Sequence, residues 1–124
     1  MILVDTSVWL DHLRLGDPQL VGLLEQSSVT MHPFVVGEIA CGGLHNRMAV
    51  LELLQDLPAA TVADSDEVLQ FIERHLLHGK GIGYVDVHLL ASVALTDGAK
   101  IWTRDKKLRL VAALLGCAYQ DTAH

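Results

Sequence analysis

Two short apolar runs, each closed on its carboxyl side by an acid, constrain this chain more than any other feature. Ile2-Leu3-Val4 runs into Asp5, and Lys100-Ile101-Trp102-Thr103 runs into Arg104-Asp105. A run without polar alternation suits a strand covered on both faces, as in a parallel sheet between helices. The intervening sequence carries helix signals. Thr6 or Ser7 is placed to cap a helix reaching about Arg14, and Pro18 starts a second toward Ser27. Val29 to Met31 reads as another strand. Helices follow over residues 34–41, stopped by Gly42-Gly43, and over about 45–56, before Pro58. Residues 60–62 read as a weak strand, and Asp64-Ser65-Asp66-Glu67 as a capping-box start for a helix to about Leu77. A helix over about 85–96, one over 106–115 and a last strand over 117–119 complete the pattern. Strands alternating with helices predict an α/β fold, a single domain over residues 1–124 with a largely parallel sheet.

Ligands of such sheets bind outside the carboxyl ends of the strands, where Asp5 and Asp105 stand. Two further acids interrupt apolar helix faces. Glu38 shares its side of the helix with Phe34, Val35 and Cys41; Asp86 opens a stripe of Leu89, Leu90, Val93 and Ala94. Each acid has a plainer reading: Asp5 and Asp105 as helix caps, Glu38 as an edge residue, Asp86 as a first-turn partner of the helix dipole. Their positions nevertheless agree with one site. Two unit charges about 4 Å apart repel by roughly 4 kcal/mol at an effective dielectric near 20, so converging carboxylates call for a cation. Oxygen-only ligands select Mg²⁺ or Mn²⁺. The expected metal ligands are Asp5, Asp86 and Asp105, with Glu38 completing the catalytic set. The hydroxyls of Thr6, Ser7 and Thr103 are placed to orient them. Arg104, Lys106, Lys107 and Arg109 form a basic stripe suited to phosphate contacts that position a nucleic acid without reading its sequence.

A net charge of −6 runs against the basic surface expected of a nucleic-acid binder, unless part of that charge belongs to a metal site beside a local basic stripe. No apolar run reaches the roughly 18 residues of a membrane span, and the N-terminus lacks a basic leader region. The expected location is therefore the cytoplasm, with Cys41 and Cys117 as reduced thiols rather than a zinc set. His88 lies about 200° around the helix from Asp86 and is expected to face packing. Trp9 and Trp102 are expected in or near the core. Gly79 to Gly83 lacks both dinucleotide and Walker signatures and reads as a tight approach to the next helix. The remaining aspartates, Asp11, Asp17, Asp56, Asp66, Asp97 and Asp121, read as solvated or turn residues.

Met1-Ile-Leu-Val-Asp5-Thr6-Ser7-Val8-Trp9 resembles the opening of PIN-domain proteins. The segment from Gly81 to Ser92 and the segment Trp102-Thr103-Arg104-Asp105-Lys106-Lys107-Leu108 resemble the later motifs of VapC-type toxins in that family. The resemblance covers the whole chain, and the ordered acids Asp5, Glu38, Asp86 and Asp105 match the family's acidic site. It implies a PIN-like α/β/α sandwich and a Mg²⁺- or Mn²⁺-dependent endoribonuclease acting on a structured transfer or ribosomal RNA. It also implies a homodimer, held inactive by a small VapB-like antitoxin that projects a basic segment toward the acids. The rival readings are another Mg²⁺-dependent phosphate hydrolase and a non-catalytic module that receives a basic partner segment.

Overall fold

The computed structural model describes residues 1–122. Strand β1 (Ile2–Val4) lies between β2 (Val29–Thr30) and β3 (Lys100–Trp102) and is parallel to both. Leu3 is opposite Thr30 on one side and Ile101 on the other. Isolated parallel bridges extend the sheet at each edge, Met31 with Ala59 and Ile101 with Ala118. The weak strand expected at residues 60–62 is therefore one bridge a residue earlier, and the strand expected at 117–119 is likewise a single bridge. Pro58 has no N–H to continue a ladder, and Val62 turns out to solvent.

The helices are α1 (Thr6–Leu15), α2 (Pro18–Glu25), α3 (Pro33–Ala40), α4 (Arg47–Gln55), α5 (Ser65–His75), α6 (Tyr84–Ala94) and α7 (Lys106–Leu114). The starts of α2 and α5 follow the sequence signals, and that of α1 does not. Asp64 and Glu67 form the expected reciprocal capping box on α5, over 2.8 and 2.9 Å. Asp17 caps α2 by accepting from the Gln19 and Leu20 N–H groups. On α1, neither Thr6 nor Ser7 caps; Asp5 occupies the cap position and makes no side-chain cap bond. Those three side chains are turned to another use.

Counting the edge bridges as strands, the order across the sheet is third, second, first, fourth, fifth in the chain. Right-handed crossovers then put the helices that follow β1 and β2 on one face and those leading to β3 on the other. The packing agrees: α1 meets α3 and α3 meets α4, while α5 packs on α6 and α6 on β3. The result is the α/β/α sandwich expected from the sequence. The order in which strands are added reverses between β1 and β3, the crevice in which open α/β sheets take ligands.

The core fills both sides of the sheet. Leu3, Val4, Ile101 and Trp102 are buried in the strands, Val8, Leu20, Val35 and Ile39 on one layer, Val68, Leu89, Leu90 and Val93 on the other. In α6 every residue from Val87 to Val93 is buried, so this helix is enclosed rather than striped, and Ala94 lies outside. His88 packs among Phe34, Tyr84 and His32, with ring centroids 4.6, 4.7 and 6.3 Å away, the packing role expected of it. Trp9 and Trp102 are both buried in the core, out of reach of a nucleobase.

Candidate active site

Asp5 leaves the carboxyl end of β1, and its N–H donates to the Trp102 carbonyl over 2.9 Å. Its carboxylate is buried and accepts two hydroxyls at Oδ2, Thr103 Oγ1 at 2.7 Å and Ser7 Oγ at 2.8 Å. A helix cap would accept backbone N–H groups; this carboxylate accepts side chains from two strand ends, which leaves Oδ1 without a competing protein bond among those described. Thr103 also accepts the Asp105 N–H at 3.1 Å, and Ser7 accepts the Arg104 N–H at 3.1 Å. The ends of β1 and β3 are thus laced together through hydroxyls.

Asp86 sits in the first turn of α6, half-buried, and its Oδ2 accepts the Gly83 N–H at 3.3 Å. Burial raises its carboxyl above the ordinary carboxylate range; the Gly83 N–H opposes this, and the charges of Asp5, Asp105 and Glu38 raise it further. Four acids from four separate chain segments therefore act on one another at this carboxyl. Asp105, exposed at the start of α7, caps that helix by accepting the Leu108 N–H at Oδ1 over 2.9 Å. Its Oδ1 thus fills the cap of the plainer reading, and its Oδ2 makes no protein bond among those described. Glu38 is exposed, and its Oε1 accepts the Thr6 hydroxyl at 2.6 Å. Contrary to the expected face, Glu38 does not share a buried side with Phe34 and Cys41, which are exposed; the buried side of α3 carries Val35 and Ile39.

Among the described residues, no three acids, histidines or cysteines stand close enough together to form a ready-made metal cage. The acids share a field, and each is held by its own hydroxyl or N–H. The donor set is nonetheless that of a hard dication: carboxylate oxygens only, hydroxyls orienting them, and one carboxyl raised by burial and by its like-charged neighbours.

The basic stripe divides. Lys107 lies across the glycine loop that leads into α6: a Cβ on Gly81 would stand 2.9 Å from its Cδ and 3.1 Å from its Nζ. Lys106 and Arg109 line an open groove of about 600 Å³ with Tyr119 and Gln120. Arg104 departs from its expected role. Its Nε, Nη1 and Nη2 bond Asp121, Asp11 and Asp17 at 2.8, 2.8 and 2.5 Å, and its side chain is only 19% exposed. Bonds to these carboxylates raise its pKa further above the usual guanidinium value. Asp11, Asp17 and Asp121 are correspondingly not idle surface acids, which the sequence reading missed; Asp17 is buried, and Asp121 exposes 2% of its side chain. Burial raises the Asp17 carboxyl, yet bonds from Arg104 and from the Leu20 and Gln19 N–H groups hold it below its ordinary value. The signal available in sequence was Asp17 before Pro18, a helix-cap pattern.

Sheet order, the reversal between β1 and β3, and acids at both strand ends define a class, and the chain belongs to the PIN domain family, which it matches over residues 2–114. It is 49% identical over 121 residues to Ribonuclease VapC32 of Mycobacterium tuberculosis, in strains CDC 1551 / Oshkosh and ATCC 25618 / H37Rv, covering 98% of this chain and 98% of the relative. Its VapC-type motifs thus lie within a full-length likeness. No helix among the described residues is long and apolar enough to cross a membrane.

Proposed function

We propose that this chain is a metal-dependent endoribonuclease that hydrolyses RNA phosphodiesters as the toxin of a VapBC-type toxin–antitoxin pair. The observation that carries the reading is the Asp86 carboxyl, raised by burial and by Asp5, Asp105 and Glu38 at once. The ribonuclease named among its relatives, at 49% identity, agrees with it.

Asp5, Asp86 and Asp105 would hold Mg²⁺ or Mn²⁺. Such an ion supplies Lewis-acid polarisation of the scissile phosphate and a more acidic water. The chain's own groups do the rest. Ser7 and Thr103 fix the Asp5 carboxylate by bonding one oxygen. Thr6 holds Glu38 through Oε1, leaving Oε2 to orient the attacking water. Lys107, Lys106 and Arg109 contact the RNA backbone and offset the repulsion of an acidic protein for phosphate. The substrate is a structured transfer or ribosomal RNA, the working form a cytoplasmic homodimer, and the inhibitor a VapB-like antitoxin whose basic segment neutralises the acids.

The test is cleavage by protein freed of partners. Structured RNA is cut with Mg²⁺ or Mn²⁺ and not in chelator, and Asp5→Asn abolishes cutting. Cleavage that persists undiminished in chelator removes the metal mechanism.

A further inference from the structure

We infer that Arg104 is a positioning residue for the acidic site, acting through the backbone between Thr103 and Asp105 rather than by touching RNA; this rests on the nuclease reading above. Arg104 stands between two site residues, and its main chain belongs to the site. Its N–H donates to Ser7 Oγ at 3.1 Å, and Ser7 Oγ donates to Asp5 Oδ2 at 2.8 Å. On either side of it, the Thr103 hydroxyl donates to Asp5 and accepts from the Asp105 N–H. A small rotation of this short segment would move the hydroxyls that aim Asp5 and the start of α7 that carries Asp105.

The side chain prevents that rotation. Its guanidinium gives one nitrogen each to Asp11 on α1, Asp17 at the start of α2 and Asp121 beyond α7. It also rests over the Trp102 ring, 5.5 Å from the centroid. A planar fork with donors in fixed directions can serve three separately placed carboxylates; a lysine ammonium is a point charge on a flexible stem and does so poorly. Each guanidinium nitrogen is already engaged by a carboxylate, which disfavours a phosphodiester contact; Asp11 is shared with Arg14 at 3.6 Å. Removing the guanidinium takes a charged donor from each of the three carboxylates. Arg104 thus ties the turn bearing Thr103 and Asp105 to two helices and the end of the chain.

The experiment compares wild type, Arg104→Lys and Arg104→Gln for Mn²⁺ binding without RNA, by electron paramagnetic resonance or calorimetry, and for kcat, KM and the salt dependence of KM with RNA. Asp64→Ala, at the remote cap of α5, controls for lowered stability. Positioning gives a rise in Mn²⁺ Kd and a fall in kcat of roughly 10-fold in both Arg104 variants, with KM and its salt dependence unchanged. Asp64→Ala leaves these quantities at wild-type values. Arg104→Lys keeps the charge, so it preserves folding and would serve a phosphate contact equally well; wild-type behaviour in that variant overturns the inference. A raised KM with a shallower salt dependence and unchanged Mn²⁺ binding in Arg104→Gln also overturns it, in favour of RNA contact. If wild type binds Mn²⁺ but cuts no RNA, the nuclease reading fails, while the Mn²⁺ affinities of the variants still decide the role of Arg104.

Discussion

The Thr103 hydroxyl donates to Oδ2 of Asp5 over 2.7 Å, joining residues 98 positions apart in the chain. This bond and the one from Ser7 account for a buried carboxylate that, among the described residues, no arginine or lysine neutralises through an ion pair. Thr103→Val keeps the side-chain shape and removes the donor. Cleavage is expected to fall about 10- to 100-fold, as for groups that orient a metal ligand. Stability is expected to fall by about 1–2 kcal/mol, since a buried acceptor loses a partner. Thr103→Ser, which keeps the hydroxyl, should recover most of the activity. Steady-state cleavage beside urea melts checks both effects.

Asp86 is expected to oppose folding when no ion is bound. Its carboxyl is raised by burial and by three like-charged neighbours, so the folded state favours the protonated form more than the unfolded state does. That contribution is fully present below the unfolded carboxylate pKa and is lost as pH rises through the raised folded value. In chelator at neutral pH, Asp86→Asn should therefore raise Tm by a few degrees, and the gap should close in acid. Mg²⁺ should raise the Tm of wild type and do little for the variant, because only a protein that binds the ion gains from it. Calorimetric scans across pH, with and without Mg²⁺, test this.

The layer architecture was legible because its signals are local. Ile2-Leu3-Val4 and Ile101-Trp102 form uninterrupted buried strands, Pro18 and Asp64 mark helix starts, and parallel pairing follows from alternation. Residues 60–62 and 117–119 read as strands, whereas each edge pairs at one residue, Ala59 and Ala118; a short run looks alike whether it pairs over three residues or one. Asp5 and Asp105 stand out in the sequence by their place after strands. The Arg104 cluster was invisible for the opposite reason: Asp11, Asp17 and Asp121 share no spacing, and only the fold brings them to one guanidinium. Phe34 and Cys41 stand exposed because the buried strip of α3, Val35 and Ile39, is narrower than a full apolar face.

His32 gives the fold an acid limit. It is fully buried, and its Nδ1 accepts the Phe34 N–H at 3.0 Å, capping α3; its Nε2 has no hydrogen-bond partner among the described residues. Burial, with the nearby His88 adding to it, lowers its pKa to about 4. The unfolded chain takes this proton near the ordinary value of about 6.5, while the folded chain resists it until about pH 4. Stability is thus whole above the unfolded value and is lost as pH falls toward the folded one, by up to roughly 3 kcal/mol from this group. His32→Asn retains a capping side chain without a titrating ring. It should be less stable at pH 7, from lost packing, and visibly flatter between pH 6.5 and 4. Urea melts at half-unit pH steps measure the slope; an unchanged slope would assign the acid limb to other groups.

Lys107 is expected to be the phosphate contact nearest the acids. Gly81 has φ +79° and no Cβ, which lets the lysine stem lie across the loop that delivers Asp86. A cation at that rim can hold an RNA phosphate beside the site without entering it. Lys107→Gln should weaken RNA binding and reduce the slope of log K against log salt by about 0.7–1, the loss of one released counterion. Binding should be measured in Ca²⁺ or with Asp5→Asn, so that cleavage does not intervene. Gly81→Ala should act in the same direction by displacing the lysine end, with an added stability cost of about 1 kcal/mol for a side chain at positive φ. A slope unaltered by Lys107→Gln, with affinity unaltered too, would leave Lys106 and Arg109 in their separate groove as the backbone contacts and would place the RNA path along the Tyr119 side of α7.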